Sequence, residues 1–170
     1  MQGRGRQCVC LPGDVGSAEN CRKLVQDAVD ALGGLDIVVN NAAQQAPVDK
    51  IEDLSDEAWE RTFNVNCHSF FWVTKAALPH LRSGSAIVNT GSVNGLRGNT
   101  KMLDYSATKG AIHAMTYSFA KSLLPRGIRA NCVAPGPVWT PLIPATLPEG
   151  SVEGFGGGVR GAHHIDSCSS

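Results

Sequence analysis

Apolar positions recur along the chain with two alternating periods. Residues 7–11 form a short apolar run closed by Pro12 and Gly13, and read as a strand. Ser17 stands where a helix N-cap belongs, with Glu19 in the first turn, where negative charge suits the helix dipole. Leu24, Val25, Ala28, Val29 and Leu32 follow at helical spacing, and Gly33 and Gly34 end that helix. Residues 35–40 are rich in β-branched side chains and too few for a helix, so a strand is predicted there. Residues 41–53, with Pro47, form a loop. Ser55 caps a second helix, with Asp56 and Glu57 in its first turn. It runs through Phe63, Phe70, Phe71, Val73, Ala76 and Ala77 until Pro79 and Gly84 end it. A strand over 85–90 around Ile87 and Val88, a loop over 91–103, and a helix from Asp104 to about Leu124 come next. Pro125 and Gly127 stop this helix, and residues 129–133 form the last strand. Five prolines between Pro135 and Pro148 then interrupt the pattern, and 150–170 shows no period.

Strands alternating with helices indicate an α/β fold with a doubly wound, Rossmann-like parallel sheet. In such sheets the ligand site lies outside the carboxyl ends of the strands. Three clusters occupy those ends: Asn40-Asn41-Ala42-Ala43, Thr90-Gly91-Ser92 and Ala134-Pro135-Gly136.

The chain has 170 residues, with fifteen Lys and Arg balanced by fifteen Asp and Glu. Neutrality argues against nucleic acid and against an anionic membrane surface as partners, and no apolar run approaches the ~18 residues of a membrane span. Six cysteines without an apolar leader predict a cytoplasmic, reduced setting with no disulfides. Cys8 and Cys10 share a strand face, but no second pair completes four ligands. His163, His164 and Cys168 read as a polar tail, so no metal is expected. Glycine is abundant, 19 residues, and six of them fall between Gly150 and Gly161.

Tyr105 and Lys109 lie four apart on one helix and share a face. A free tyrosine titrates near ~10, and a neighbouring ammonium favours its phenolate. The pair suits proton transfer in a carbonyl–alcohol interconversion. Ser92, at a strand end, can hydrogen-bond the same oxygen.

With these residues in order, the chain resembles the short-chain dehydrogenase/reductase family. Asn40-Asn41-Ala42-Ala43 stands at the family's N-N-A-G, and Tyr105-Ser106-Ala107-Thr108-Lys109 at its Y-x-A-x-K. Asn66 matches the helix asparagine of the family's tetrad. Residues 131–140 match N-x-x-x-P-G-x-x-x-T, and Asp14-Val15 follows the third strand as in many members. Residues 103–112 and 139–144 look most like the glucose/ribitol-dehydrogenase-like, general-stress-protein branch.

The resemblance implies an oxidoreductase using NAD or NADP, with an alcohol or carbonyl substrate, a sugar or polyol by its branch. Tyr105 is then the general acid/base. Lys109 lowers the Tyr105 pKa and binds the nicotinamide ribose. Ser92 orients the substrate oxygen, and Asn66 holds a water of a proton relay. Asp14 and Val15 flank the adenine, and Asn41, Ala42 and Ala43 line the adenosine ribose. Pro135, Gly136, Val138 and Thr140 hold the nicotinamide, while Asn94 and Leu96 approach substrate. A homodimer or homotetramer is implied by the same resemblance. Simpler roles stand beside three of these: Asn66 bridging helix and strand, Asp14 as a turn residue, and Asn40 tying strands together. Trp59, Trp72 and the Phe63, Phe70 and Phe71 group read as core or oligomer packing.

The family pattern is incomplete at both ends. The first βαβ unit, with its glycine-rich phosphate loop and the residues that select NAD or NADP, has no counterpart, nor has the C-terminal strand. Residues 1–154 therefore read as a partial Rossmann-like domain, the catalytic middle of a larger unit with both ends missing, and 155–170 as an irregular tail. A truncated or frame-shifted reading frame is the expectation for both ends. A catalytically inactive remnant is the alternative function. Gly156-Gly157-Gly158-Val159-Arg160-Gly161 fits G-x-G-x-x-G by letter, but follows no strand and opens no helix. In the strand order 3-2-1-4-5-6, loss of strands 1 and 2 separates residues 7–11 from 35–40. Residues 7–11 are then expected to be displaced against 35–40, poorly ordered or completed by a partner chain.

Overall fold

The computed structural model describes residues 7–146, 149–152 and 163–164. Helix α1 (Ala18–Leu32) starts where Ser17 Oγ accepts the Asn20 N–H, and stops at Gly33. The φ of 80° at Gly33 is a left-handed conformation that glycine adopts without steric penalty. Strand β1 (Ile37–Asn40) follows.

The apolar stretch after Ser55 is not one helix. It divides into α2 (Asp56–Phe63), a π-helical turn (Asn64–His68) and α3 (Ser69–Ala77). In the turn the Ser69 N–H reaches Asn64 O, five residues back, and Ser69 Oγ donates to Val65 O at 2.6 Å. Such wide turns often mark functional sites in helices. Next come β2 (Ala86–Thr90), α4 (Asn94–Arg97), α5 (Leu103–Leu123) and β3 (Arg129–Val133). The segment 91–103, expected as loop, thus holds a short helix. After the proline-rich turn stand β4 (Val138–Trp139), α6 (Leu142–Thr146) and α7 (Glu149–Val152). Strand β5 (His163–His164) pairs in parallel with β4. The rest of the expected tail, including the glycine run at 156–161, lies outside the described residues.

Strands β1, β2 and β3 form one parallel sheet in that order. Val38, Ile87 and Ala130 stand in register on one face and pack with Val25 of α1, Ala77 of α3 and Leu123 of α5. The opposite face carries Ile37 and Val39, 64% and 61% exposed. The class is α/β and Rossmann-like, and only one of the two helical layers of a doubly wound sheet stands over the described strands. Residues 7–11 are not a strand. They run along α1 instead of β1, with Gln7 Nε2 donating to Ala31 O at 2.8 Å, because no neighbouring strand offers them a ladder.

Two buried asparagines face each other across β1 and β2. Asn40 Nδ2 donates to Asn89 Oδ1 at 2.9 Å and to Thr74 Oγ1 at 3.1 Å. Asn89 Nδ2 donates to Thr116 Oγ1 at 2.9 Å. This ladder joins α3, two strands and α5, so Asn40 ties strands together, the simpler of its two roles. Phe70 is buried, while Trp59, Phe63, His68 and Trp72 form a row of ring contacts along α2 and α3. No helix among the described residues is long and apolar enough to cross a membrane.

Candidate active site

The parallel register ends all three strands on the same side, and their following loops converge there. Ser92 is buried just beyond β2. Its side chain faces Tyr105, on the first turn of α5, closely enough to act on the titration of the phenol. Lys109, one turn later, is buried to 1% exposure and donates from Nζ to Thr90 O at 2.6 Å. Its Nζ lies 5.4 Å from the Tyr105 ring centroid and 5.7 Å from that of Phe70. The three residues that carry the proposed chemistry thus come together from β2 and α5.

Close backbone contact makes this convergence possible. A Cβ at Gly95 in α4 would lie 2.5 Å from the Lys109 carbonyl carbon and 2.7 Å from Gly110 N. Only glycine lets α4 sit so near α5. The Gly95 N–H also donates to Ser92 O, and Asn94 N–H to Ser92 Oγ, so the helix and the serine move as one unit.

A buried polar network fixes the loop after β1 against the same helix. Asn66, in the π-helical turn, accepts the Gln44 N–H at 2.7 Å and donates to Gln44 O at 2.8 Å and Thr108 Oγ1 at 3.3 Å. Gln44 Nε2 donates to Thr62, whose hydroxyl donates to Asp104 Oδ2 at 2.6 Å. Asp104 Oδ1 in turn accepts the Tyr105 N–H. Sequence reasoning missed Gln44, Thr62 and Asp104. Their separations of 18 to 42 residues leave no local pattern; the one legible signal is an acid opening α5.

Burial dominates the electrostatics. It holds the Tyr105 phenol above its ordinary value, and Ser92 opposes that shift. Lys109, expected to pull Tyr105 down, donates its hydrogen bond to Thr90 O and is itself disfavoured as a cation. Burial lowers its pKa from 10.5 to about 8, with Cys132 opposing. Between those values the folded chain binds fewer protons than the unfolded one, so this group's contribution to stability increases as pH rises through the window. Native protein should therefore gain stability relative to Lys109→Met between pH 8 and 10.5, by on the order of 3 kcal/mol. Urea midpoints of the two proteins measure this; a pH-independent difference contradicts the burial account.

The other expected site residues surround this centre. Asn41 and Ala42 are exposed, Ala43 is half-buried, and Asn41 Oδ1 accepts the Thr90 hydroxyl at 3.0 Å. Pro135 O accepts the Val93 N–H, Gly136 is exposed, and Val138 and Thr140 are half-buried. Asn94 is half-buried and Leu96 exposed on α4. Asp14 lies at the far edge and is held by a bidentate pair with Arg61 at 2.8 and 3.0 Å. That guanidinium, helped by the Gly16 N–H, keeps the carboxyl below its ordinary value. Val15 O accepts from the Cys21 thiol.

Comparison with protein families matches residues 1–149 to the short chain dehydrogenases. The uncharacterised oxidoreductase YhdF of Bacillus subtilis is 55% identical over 150 residues, covering 88% of this chain and 52% of that protein. General stress protein 39 of the same organism is 51% identical, over 92% of this chain and 54% of its own length. Glucose and ribitol dehydrogenase of Daucus carota is 47% identical, over 89% and 52%. The chain thus spans about half the length of these relatives. Among solved structures, a short chain dehydrogenase from Burkholderia cenocepacia J2315 in complex with NADP superposes with a TM-score of 0.80 at 34% identity. That match covers 83% of this chain and 58% of the other. A blue fluorescent protein from a metagenomic library, in complex with NADPH, gives 0.81 at 32%, over 88% and 61%. The chain belongs to the short chain dehydrogenase family, in its general-stress-protein and glucose/ribitol-dehydrogenase branch.

Proposed function

We propose that this chain carries the catalytic half of an NAD(P)-dependent oxidoreductase that interconverts an alcohol, a sugar or polyol by its branch, and a carbonyl. The observation that carries this reading is the convergence of Ser92, Tyr105 and Lys109 at the strand ends. The residues present fit the nicotinamide end of the cofactor. The Lys109 ammonium has three donors and one hydrogen bond among the described residues, so a ribose diol can take the others. A Cβ at Gly136 would meet nothing within 4 Å, which leaves open space beside Pro135. Lys109, Pro135, Gly136, Val138 and Thr140 are the residues assigned to hold that end. Asn41, Ala42 and Ala43 are assigned to the adenosine ribose, and Asp14 and Val15 to the adenine. The bound nicotinamide supplies the hydride chemistry.

The chain's own part is proton handling and position. The Tyr105 hydroxyl, whose protonated form burial favours, donates its proton to the carbonyl oxygen in reduction and takes one back in oxidation. Ser92 hydrogen-bonds that oxygen and fixes it against the phenol. Asn94 and Leu96 stand on the substrate side. Asn66, its side-chain amide engaged with Gln44 and Thr108, contributes by holding the loop after β1 against α5.

A second reading is a chain that does not turn over by itself. It is favoured by one observation: among the described residues no glycine-rich loop joins a strand to a helix, the usual seat of the pyrophosphate. Aldehyde-dependent oxidation of NADPH and NADH by the purified chain separates the two. Turnover supports the enzyme reading. Its absence with both cofactors, in a chain that melts cooperatively, establishes the second.

A further inference from the structure

Cys132 and His113 form a thiol–imidazole pair between β3 and α5, outside the set that handles the substrate proton. Cys132 Sγ lies 3.7 Å from His113 Nδ1, and His113 Nε2 lies 3.1 Å from Ser92 O. A carbonyl oxygen only accepts, so Nε2 carries the ring proton, and Nδ1 of the neutral ring turns its lone pair to the thiol. A nucleophile, a base and a group that orients the base thus stand in line. Val133 O, 3.5 Å from Sγ, is a second acceptor for the thiol, but it already takes the Gly91 N–H and cannot carry a proton away. The pair depends on Gly91, where a Cβ would lie 2.8 Å from both Cys132 Sγ and His113 Nε2. A cation stands nearby as well, since the sulfur acts on the titration of Lys109.

The other described cysteines lack this combination. Cys21 and Cys67 are buried, and burial pushes both thiols up. Cys8 and Cys10 are exposed, with no imidazole bonded to either among the described residues. Cys132 joins a base to access, being half-buried on an edge strand of the described sheet.

We propose that Cys132 is an activated thiol that takes up a small disulfide, the oxidised form of a low-molecular-weight thiol, as a mixed disulfide. His113 Nδ1 accepts the thiol proton as Sγ attacks one sulfur of the reagent. The new S–S bond forms as the old one breaks, and the second sulfur leaves as a thiolate that takes the proton from His113. Cys132 is oxidised and the departing thiol is the reduced product, so no other reactant is needed. The proposal rests on these two side chains and not on the oxidoreductase reading.

The probe is 2-hydroxyethyl disulfide, small and neutral, added to the purified native chain, with modification of each cysteine followed by peptide mass mapping. Cys132 is expected to react roughly tenfold faster than Cys8 or Cys10, or more, and dithiothreitol should restore its thiol. In the urea-denatured chain the preference should vanish, because it comes from the fold. His113→Gln, which keeps a polar side chain, should slow Cys132 by roughly tenfold or more and leave Cys8 and Cys10 unchanged. Cys132 reacting no faster than Cys8 in the folded chain, or a preference that persists in urea, would overturn the proposal. So would an undiminished Cys132 rate in His113→Gln. Should that variant melt below the native chain, the comparison of native with urea-denatured protein decides.

Discussion

Tyr105→Phe is expected to lower turnover by roughly 100-fold to 10,000-fold, the usual contribution of a positioned general acid/base. The change removes one oxygen from a side chain that is 9% exposed and leaves its ring packed beside Lys109. Ser92 remains to hold the substrate oxygen, so substrate affinity should change far less than rate. Lys109 keeps its bond to Thr90 O, so cofactor affinity and melting temperature should stay near native. The loss therefore falls on kcat, which steady-state kinetics with an aldehyde and NADPH would read. The direction of the Tyr105 shift adds a pH signature. Burial favours the protonated phenol, the proton donor for carbonyl reduction, and alcohol oxidation should accelerate as pH rises. A variant that turns over as fast as native protein would remove Tyr105 from the mechanism.

The second large effect is expected at a residue that carries no chemistry. In Gly95→Ala the new Cβ would fall 2.5 Å from the Lys109 carbonyl carbon and 2.8 Å from its oxygen. Both are main-chain atoms of a long helix and cannot swing aside. Helix α4 must move away from α5, and Ser92 moves with it because Gly95 and Asn94 N–H groups both bond to that residue. Overpacking of this kind costs about 1–3 kcal/mol, which lowers the melting temperature by roughly 2–10 °C for a chain of this size. A displacement near 1 Å at the reacting oxygen costs on the order of 100-fold in rate. Thermal melts with kinetics on the same sample would separate the two losses. Native activity in a stable Gly95→Ala protein would show that α4 does not set the position of Ser92.

Periodicity located the strands β1, β2 and β3 to within two residues, because β-branched runs between turn residues are local features. It also located the three strand-end clusters, since they follow directly from the ends of those runs. The apolar pattern of 55–84 did not reveal the π-helical turn, because one widened turn hardly disturbs helical spacing. Helix α4 leaves no signal in the sequence, since four residues carry no period and its stability comes from contact with α5. The run at 7–11 has the composition of a strand, but strand formation needs a neighbour, and the described sheet offers none. Gln44, Thr62 and Asp104 escaped for a different reason. Each is an ordinary polar residue in sequence, and only the packing of α2 against α5 makes them one network. The altered balance at Tyr105 also came from packing, since burial outweighs a neighbouring cation that sequence spacing alone would favour.

Lys109 and the strand-end loops are proposed to form a nicotinamide site, and cofactor binding tests this most directly. NADPH and NADH would each be titrated into the purified chain and into Lys109→Met, following nucleotide fluorescence. Saturable binding of at least one cofactor to the native chain is expected, with at least tenfold weaker binding to the variant. Absence of saturable binding by a cooperatively folded native chain, or equal affinity of the two proteins, would contradict it.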